Sequence, residues 1–107
     1  MLASAVNSLF RYRFPVPTDP LRDAISSQVA RLLKEERQKR GISLNSIAEI
    51  AGLSRQTVSY VEQEVQSPSL DTLLRITWAL EVELEQIIAR ARKAVLMKRG
   101  ANLEREK

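Results

Sequence analysis

Between Ser54 and Tyr60 every side chain except Val58 can donate or accept a hydrogen bond. A guanidinium such as that of Arg55 can grip guanine O6 and N7 through two parallel bonds. A carboxamide such as that of Gln56 can do the same to adenine N6 and N7. Thr57 adds a methyl that fits against a thymine methyl, and Tyr60 a phenol that can donate to a phosphate or pack on a sugar. This is the chemistry of recognition rather than of bond making. The 107-residue chain has no Cys and no His, which removes thiolate and imidazole catalysis, disulfides and most zinc sites. It also lacks a glycine-rich phosphate loop and a Ser with an evident base partner. The expectation is a protein that is not an enzyme, with no catalytic residue, no metal and no cofactor.

These side chains need a rigid carrier. The surrounding stretch, Leu44 to Gln63, reads LNSIAEIAGLSRQTVSYVEQ, two short helical patterns hinged on Ala51-Gly52-Leu53. Ile47, Val58 and Val61 are apolar where two such helices would face each other, and Ala48 is small enough for a close crossing. Gly52 falls where the turn needs a positive φ. Ser54 supplies a hydroxyl to cap the second helix. Two helices joined in this way form a helix-turn-helix, whose second helix can lie in the major groove of DNA.

Charge is distributed unevenly. The net formal charge is +4, compatible with a polyanionic partner. Residues 28–61 hold Arg31, Lys34, Arg37, Lys39, Arg40 and Arg55 against Glu35, Glu36 and Glu49. In residues 62–89 Arg75 stands alone against Glu62, Glu64, Asp71, Glu81, Glu83 and Glu85, and residues 90–107 are basic again. Basic charge thus falls on the segment that carries the reading helix. No apolar run approaches the roughly 18 residues that span a bilayer, so no membrane role is expected. The first residues lack the features of a secretion signal.

The periodicity predicts an all-α domain over residues 20–90. A first helix starts at Asp19-Pro20, cap then first turn, and ends at Gly41. Ser43 caps a second helix running to about Ala51, and a third covers about Arg55 to Glu62. Ser69 caps a fourth, Leu70 to Leu80, with Leu70, Leu73, Thr77 and Leu80 as its inner stripe. A fifth begins near Glu83, carries Leu84, Ile87, Ile88, Ala91 and Val95 on one stripe, and ends at Gly100. Residues 91–107 are a helical extension with a frayed tail. Residues 1–19 form an arm in which Phe10, Tyr12 and Phe14 alternate with Arg11 and Arg13, a period of two that suggests a strand. Such a strand must pair with its copy in a dimer, lie on the domain, stay loose, or reach the minor groove as a basic arm. Its aromatic face favours burial over DNA contact.

From about Val29 to Ile88 the chain resembles the lambda-repressor/Cro-like helix-turn-helix domains of the Xre family. The resemblance rests on LLKEERQKRGIS before the motif, IAEIAGLSRQTVSYVE within it and SPSLDTLLRITWALEV after it. It implies a five-helix lambda-repressor-like bundle, here with an N-terminal extended arm and a lengthened C-terminal helix. It also implies a transcriptional regulator that binds double-stranded DNA as a homodimer on an inverted-repeat operator. The setting implied is the cytoplasm of a prokaryote, or a phage, in association with the nucleoid. The family reads bases from the exposed face at the start of the third helix, here Arg55, Gln56, Thr57, Ser59 and Tyr60, with Ser54 at its cap. Arg37 and Glu62 stand where members often place a pair that locks the reading helix to the scaffold and presents the guanidinium near the DNA backbone.

Three departures are visible. Leu44 replaces the polar residue usual at the start of the second helix, leaving Asn45, Ser46 and the backbone N–H groups there to meet phosphate. Glu62-Gln63-Glu64 replaces Glu-x-Gly, so the third helix either runs on or ends without its glycine. Trp78 replaces a polar residue, and its indole is expected to cover the fifth helix or a second subunit; Ile88, Phe10, Tyr12 and Phe14 are further candidates for a dimer interface. The two extensions also fit a different reading, an antitoxin-like module that grips another protein and binds DNA as well.

Overall fold

The computed structural model describes residues 20–106, and among these it contains five helices and no strand: α1 (Pro20–Lys39), α2 (Leu44–Ala51), α3 (Arg55–Glu62), α4 (Leu70–Ala79) and α5 (Leu84–Glu106). The strand expected in the arm, with Phe10, Tyr12 and Phe14, and the Asp19 cap lie outside the described residues.

Three helices start with the same device. Ser43, Ser54 and Ser69 sit in extended backbone and accept from the backbone N–H of Ser46, Thr57 and Thr72. In each case the hydroxyl three residues on is bonded to the capping hydroxyl, at 3.0, 2.7 and 3.0 Å. Each pair anchors a helix start on both backbone and side chain, a hydroxyl version of the reciprocal capping box.

The helix ends also share one form. After α1, α2, α3 and α4 the chain makes the paired bonds of a Schellman turn. For α3 these are Glu64 N–H to Val61 O and Val65 N–H to Tyr60 O. The turn needs one left-handed residue. Gly41 and Gly52 supply it at φ 67° and 69°, whereas Glu64 and Glu81 take it at 60° and 58°. Thus α3 neither runs on nor loses its turn. A glutamate accepts the conformation that the missing glycine would have taken, and its carboxylate is held by the Ser27 hydroxyl. The apolar residue that follows each turn packs back on the core at Ile42, Leu53 and Val82, while Val65 stays exposed.

Leu33, Ile47, Val58, Leu80 and Ile87 form the deepest layer, with Ala48 and Ala51 filling the close crossing of α2. Fully burying such a side chain is worth about 1.5–3 kcal/mol. On α4 the inner stripe is Leu73, Ile76, Thr77 and Leu80; Leu70, expected within it, is exposed because it sits in the first turn ahead of the crossing. The buried Thr77 hydroxyl donates back to Leu73 O at 2.9 Å. The α5 helix lies along α1 and buries Leu84, Ile87, Ala91 and Val95, whereas Ile88 is half turned to the surface. It then continues through Gly100 to Glu106, past the stop expected at that glycine and through the expected frayed tail. Gly100 has no positive φ; within a helix it costs only about 1 kcal/mol relative to Ala, which the good helix formers around it offset.

Candidate nucleic-acid interface

The α2–α3 turn is built from both sides. Leu53 N–H bonds to Ala48 O at 2.8 Å, closing the end of α2. From α4, Arg75 donates through Nη1 to Ala51 O at 3.4 Å and is itself held by Asp71 at 2.9 Å. A Cβ on Gly52 would lie 3.1 Å from that same Arg75 nitrogen. The glycine therefore serves the backbone conformation and the passage of the guanidinium together. Arg75 is a member of the site that sequence reasoning missed. The available signal was its position, the lone cation of residues 62–89 and one turn after Asp71.

The far end of α3 is held by Arg37. Its Nε and Nη2 bond to Glu62 Oε2 and Oε1 at 2.7 and 3.0 Å, and its Nη1 donates to Ile42 O at 2.9 Å. The two side chains are only 13% and 8% exposed. All three nitrogens of the guanidinium are engaged within the protein, and the group is mostly buried. It acts as a clamp between α1, the α1–α2 turn and α3. A planar fork against a carboxylate fixes orientation as well as distance.

Between these two anchors α3 buries Val58 and Val61 and turns its other face outward. Arg55 and Gln56 are exposed; Thr57, Ser59 and Tyr60 are half-buried. Arg55 has no hydrogen-bond or ion-pair partner among the described residues, and it stands at a helix N-terminus, where a cation gains nothing from the macrodipole. The others are linked along the helix. Gln56 Nε2 donates to the Tyr60 hydroxyl, and Gln63 Nε2 donates to Ser59 Oγ at 2.9 Å. Gln56 keeps its carbonyl oxygen and one amide hydrogen, the pair that an adenine edge takes. Thr57 Oγ1 and Ser54 Oγ are engaged with each other at the cap, so Ser54 has a structural task whatever else it touches. Asn45 and Ser46 lie exposed on the first turn of α2, while Leu44 packs on the core.

Trp78 is 71% exposed, so it does not cover α5 as one of the two expectations had it. With Leu70 and Leu74, 65% and 50% exposed, it forms an outward stripe at i, i+4 and i+8 along α4. Ile88 lies elsewhere, on the wall of a groove beside α1. No helix among the described residues is long and apolar enough to cross a membrane.

The family described as Helix-turn-helix, HTH_3, matches residues 33–87. Over 54 residues the chain is 41% identical to MJ1164 of Methanocaldococcus jannaschii, a protein named for an HTH-type transcriptional regulatory role; the match takes in 50% of this chain and 17% of that protein. Over 57 residues it is 37% identical to the HTH-type transcriptional regulator SutR of Escherichia coli, covering 53% of this chain and 32% of SutR. The chain therefore spans about a sixth to a third of the length of the curated relatives it matches. Among solved structures, SinR, a master regulator for biofilm formation in complex with DNA, superposes with a TM-score of 0.53 at 28% identity, over 56% of this chain and 97% of that one.

Proposed function

Because this chain belongs to the HTH_3 helix-turn-helix family, we propose that it is a transcriptional regulator that binds double-stranded DNA sequence-specifically, as a homodimer on an inverted repeat. One observation carries this reading. The α3 helix is clamped at both ends, by Arg75 through the turn and by Arg37 on Glu62, while Arg55 and Gln56 project unburied from its first turn. A face held that rigidly, with bidentate donors directed outward, suits base reading in a major groove. The relatives named as transcriptional regulators and the DNA complex of SinR support the same assignment. On this reading the protein performs no reaction; it acts by occupying a site, on the prokaryotic or phage DNA of the cell that holds it.

The homodimer rests on the Leu70–Leu74–Trp78 stripe. A run of exposed apolar side chains ending in an indole marks an association surface, and on an inverted repeat the two reading helices of a dimer would have to sit about 34 Å apart, one turn of DNA. The exposed Leu96 and Met97 on α5, just after the buried Val95, favour a second reading in which α5 also grips another protein, as an antitoxin-like module would. Co-purification from the native source separates the two: a second polypeptide in fixed proportion supports the partner reading, and a lone dimer opposes it.

Fluorescence anisotropy on labelled duplex DNA across a salt series tests the function itself. Affinity should fall steeply with salt, with a log–log slope of about 0.9 per phosphate neutralised. Salt-independent affinity, or none at low salt, contradicts the proposal.

A further inference from the structure

Gln56 stands on the first turn of α3, and Tyr60 follows four residues on, where side chains on one face of a helix meet. The carboxamide Nε2 of Gln56 donates to the Tyr60 hydroxyl oxygen. A carboxamide has two donor hydrogens and an acceptor oxygen, whereas a phenol has a single hydrogen to give. With the phenol accepting, Gln56 turns one hydrogen and Oε1 outward, and these match N7 and N6 of adenine. The reverse orientation, with Tyr60 donating to Oε1, would turn both amide hydrogens outward. Two donors suit O6 and N7 of guanine, which are both acceptors. The phenolic hydrogen therefore decides which base Gln56 reads. It has no acceptor among the described residues. Tyr60 is half-buried while Gln56 is exposed, so the phenol is the fixed partner and the carboxamide the one that turns.

On the reading of α3 as the base-reading helix proposed above, we infer that Tyr60 is a positioning residue that makes Gln56 select adenine over guanine. A tyrosine hydroxyl beside a duplex donates to a phosphate oxygen. Once its hydrogen is given there, Tyr60 can only accept from Gln56. The carboxamide is then held with Oε1 toward the base edge. A backbone contact, which carries no sequence information by itself, becomes in this way a choice of base. A neighbouring pair is built alike, since Gln63 Nε2 donates to Ser59 Oγ at 2.9 Å. Gln63 is the C-cap of α3, beyond the N-terminal positions that reach base edges, and it serves as the internal comparison.

Tyr60→Phe keeps the ring and removes the hydroxyl, and it should leave the melting temperature unchanged. The probe is the duplex that the parent chain enriches from a random pool, and Gln56→Ala maps the base pair that Gln56 reads. In the parent, exchanging adenine for guanine at that pair should weaken binding by about 10-fold or more, whereas in Tyr60→Phe the two duplexes should agree within about 3-fold. Loss of the phosphate bond lowers affinity for both duplexes alike, so the ratio is the readout. Preferences at other positions should persist, and Tyr60→Phe should not change the ratio further when combined with Gln56→Ala. Full adenine preference in Tyr60→Phe, or a guanine preference in the parent, overturns the role of Tyr60 and leaves α3 as the reading helix. If the pool yields no motif, or Gln56→Ala relaxes no position, the base-reading role falls and that of Tyr60 with it. The free chain gives a second measurement. Tyr60→Phe should shift one of the two Nε2 hydrogens of Gln56 in a nitrogen–proton correlation spectrum and leave those of Gln63 in place. Unmoved Gln56 signals contradict the hold of Tyr60 on the carboxamide, whatever the DNA experiment gives.

Discussion

Arg37 holds Glu62 across 25 residues of sequence by two parallel hydrogen bonds of 2.7 and 3.0 Å, and with its remaining nitrogen it holds the carbonyl of Ile42. One side chain thereby ties the end of the reading helix to the first helix and to the turn that follows it. Removing the guanidinium leaves a nearly buried carboxylate without its partner. Arg37→Met should destabilise the domain by about 3–5 kcal/mol, the usual cost of breaking a buried pair from one side. Arg37→Lys should recover part of this, since a point charge satisfies Glu62 but cannot fork. Urea denaturation followed by circular dichroism measures both; a loss under 1 kcal/mol for Arg37→Met would make the pair a surface contact in energy.

The two kinds of left-handed residue should respond in opposite directions to substitution. Glu81 takes φ 58° at the end of α4, and its ion pair with Arg40 is long, 3.5 Å, with the glutamate side chain 83% exposed. Glu81→Gly should relieve the Cβ strain and raise stability by about 0.5–1 kcal/mol after the added freedom of the unfolded chain is subtracted. Gly52→Ala should lower stability by about 1–2 kcal/mol, because the new methyl meets both a left-handed backbone and the Arg75 guanidinium. Thermal melts of the two variants check the sign. A rise for Gly52→Ala would remove the argument for that glycine.

Trp78 projects from α4 at the end of the Leu70–Leu74 stripe. If that stripe joins two copies, Trp78→Arg should turn a dimer into a monomer in sedimentation and leave the helical content unchanged, since the indole is 71% exposed within the described chain. DNA affinity should fall with it, because two linked half-sites bind far more tightly than one. A variant that sediments as the parent does would place the interface elsewhere.

How much of this was legible beforehand follows from the range of each interaction. The serine caps at Ser43, Ser54 and Ser69 are local bonds spanning three residues, so the starts of α2, α3 and α4 could be read directly. The Gly41 and Gly52 turns were legible for the same reason. The position where α3 ends was legible, but the way it ends was not. A glutamate in a left-handed conformation breaks the local preference and is supported by Ser27, 37 residues away. Gly100 misled in the other direction, since a glycine signals a helix end only where the chain turns, and here it does not. Trp78 and Ile88 were placed by apolarity, but whether an apolar residue faces the core depends on a few degrees of helix rotation that only packing settles. The outward set Arg55, Gln56, Thr57, Ser59 and Tyr60 was readable from the family pattern. The links Gln56–Tyr60 and Gln63–Ser59, and the Arg75 contact with the turn, depend on rotamers and stayed out of reach.

The most direct test of the account is selection of bound sequences from a random duplex pool, run in parallel on the parent chain, Arg55→Ala and Gln56→Ala. The parent should enrich an inverted repeat whose half-sites are centred about one helical turn apart. Each variant should relax the preference at one base position per half-site, by about 1–3 kcal/mol of discrimination, with an unchanged melting temperature. No enriched motif, or one that survives intact in both variants, would contradict the assignment of α3 as the reading helix.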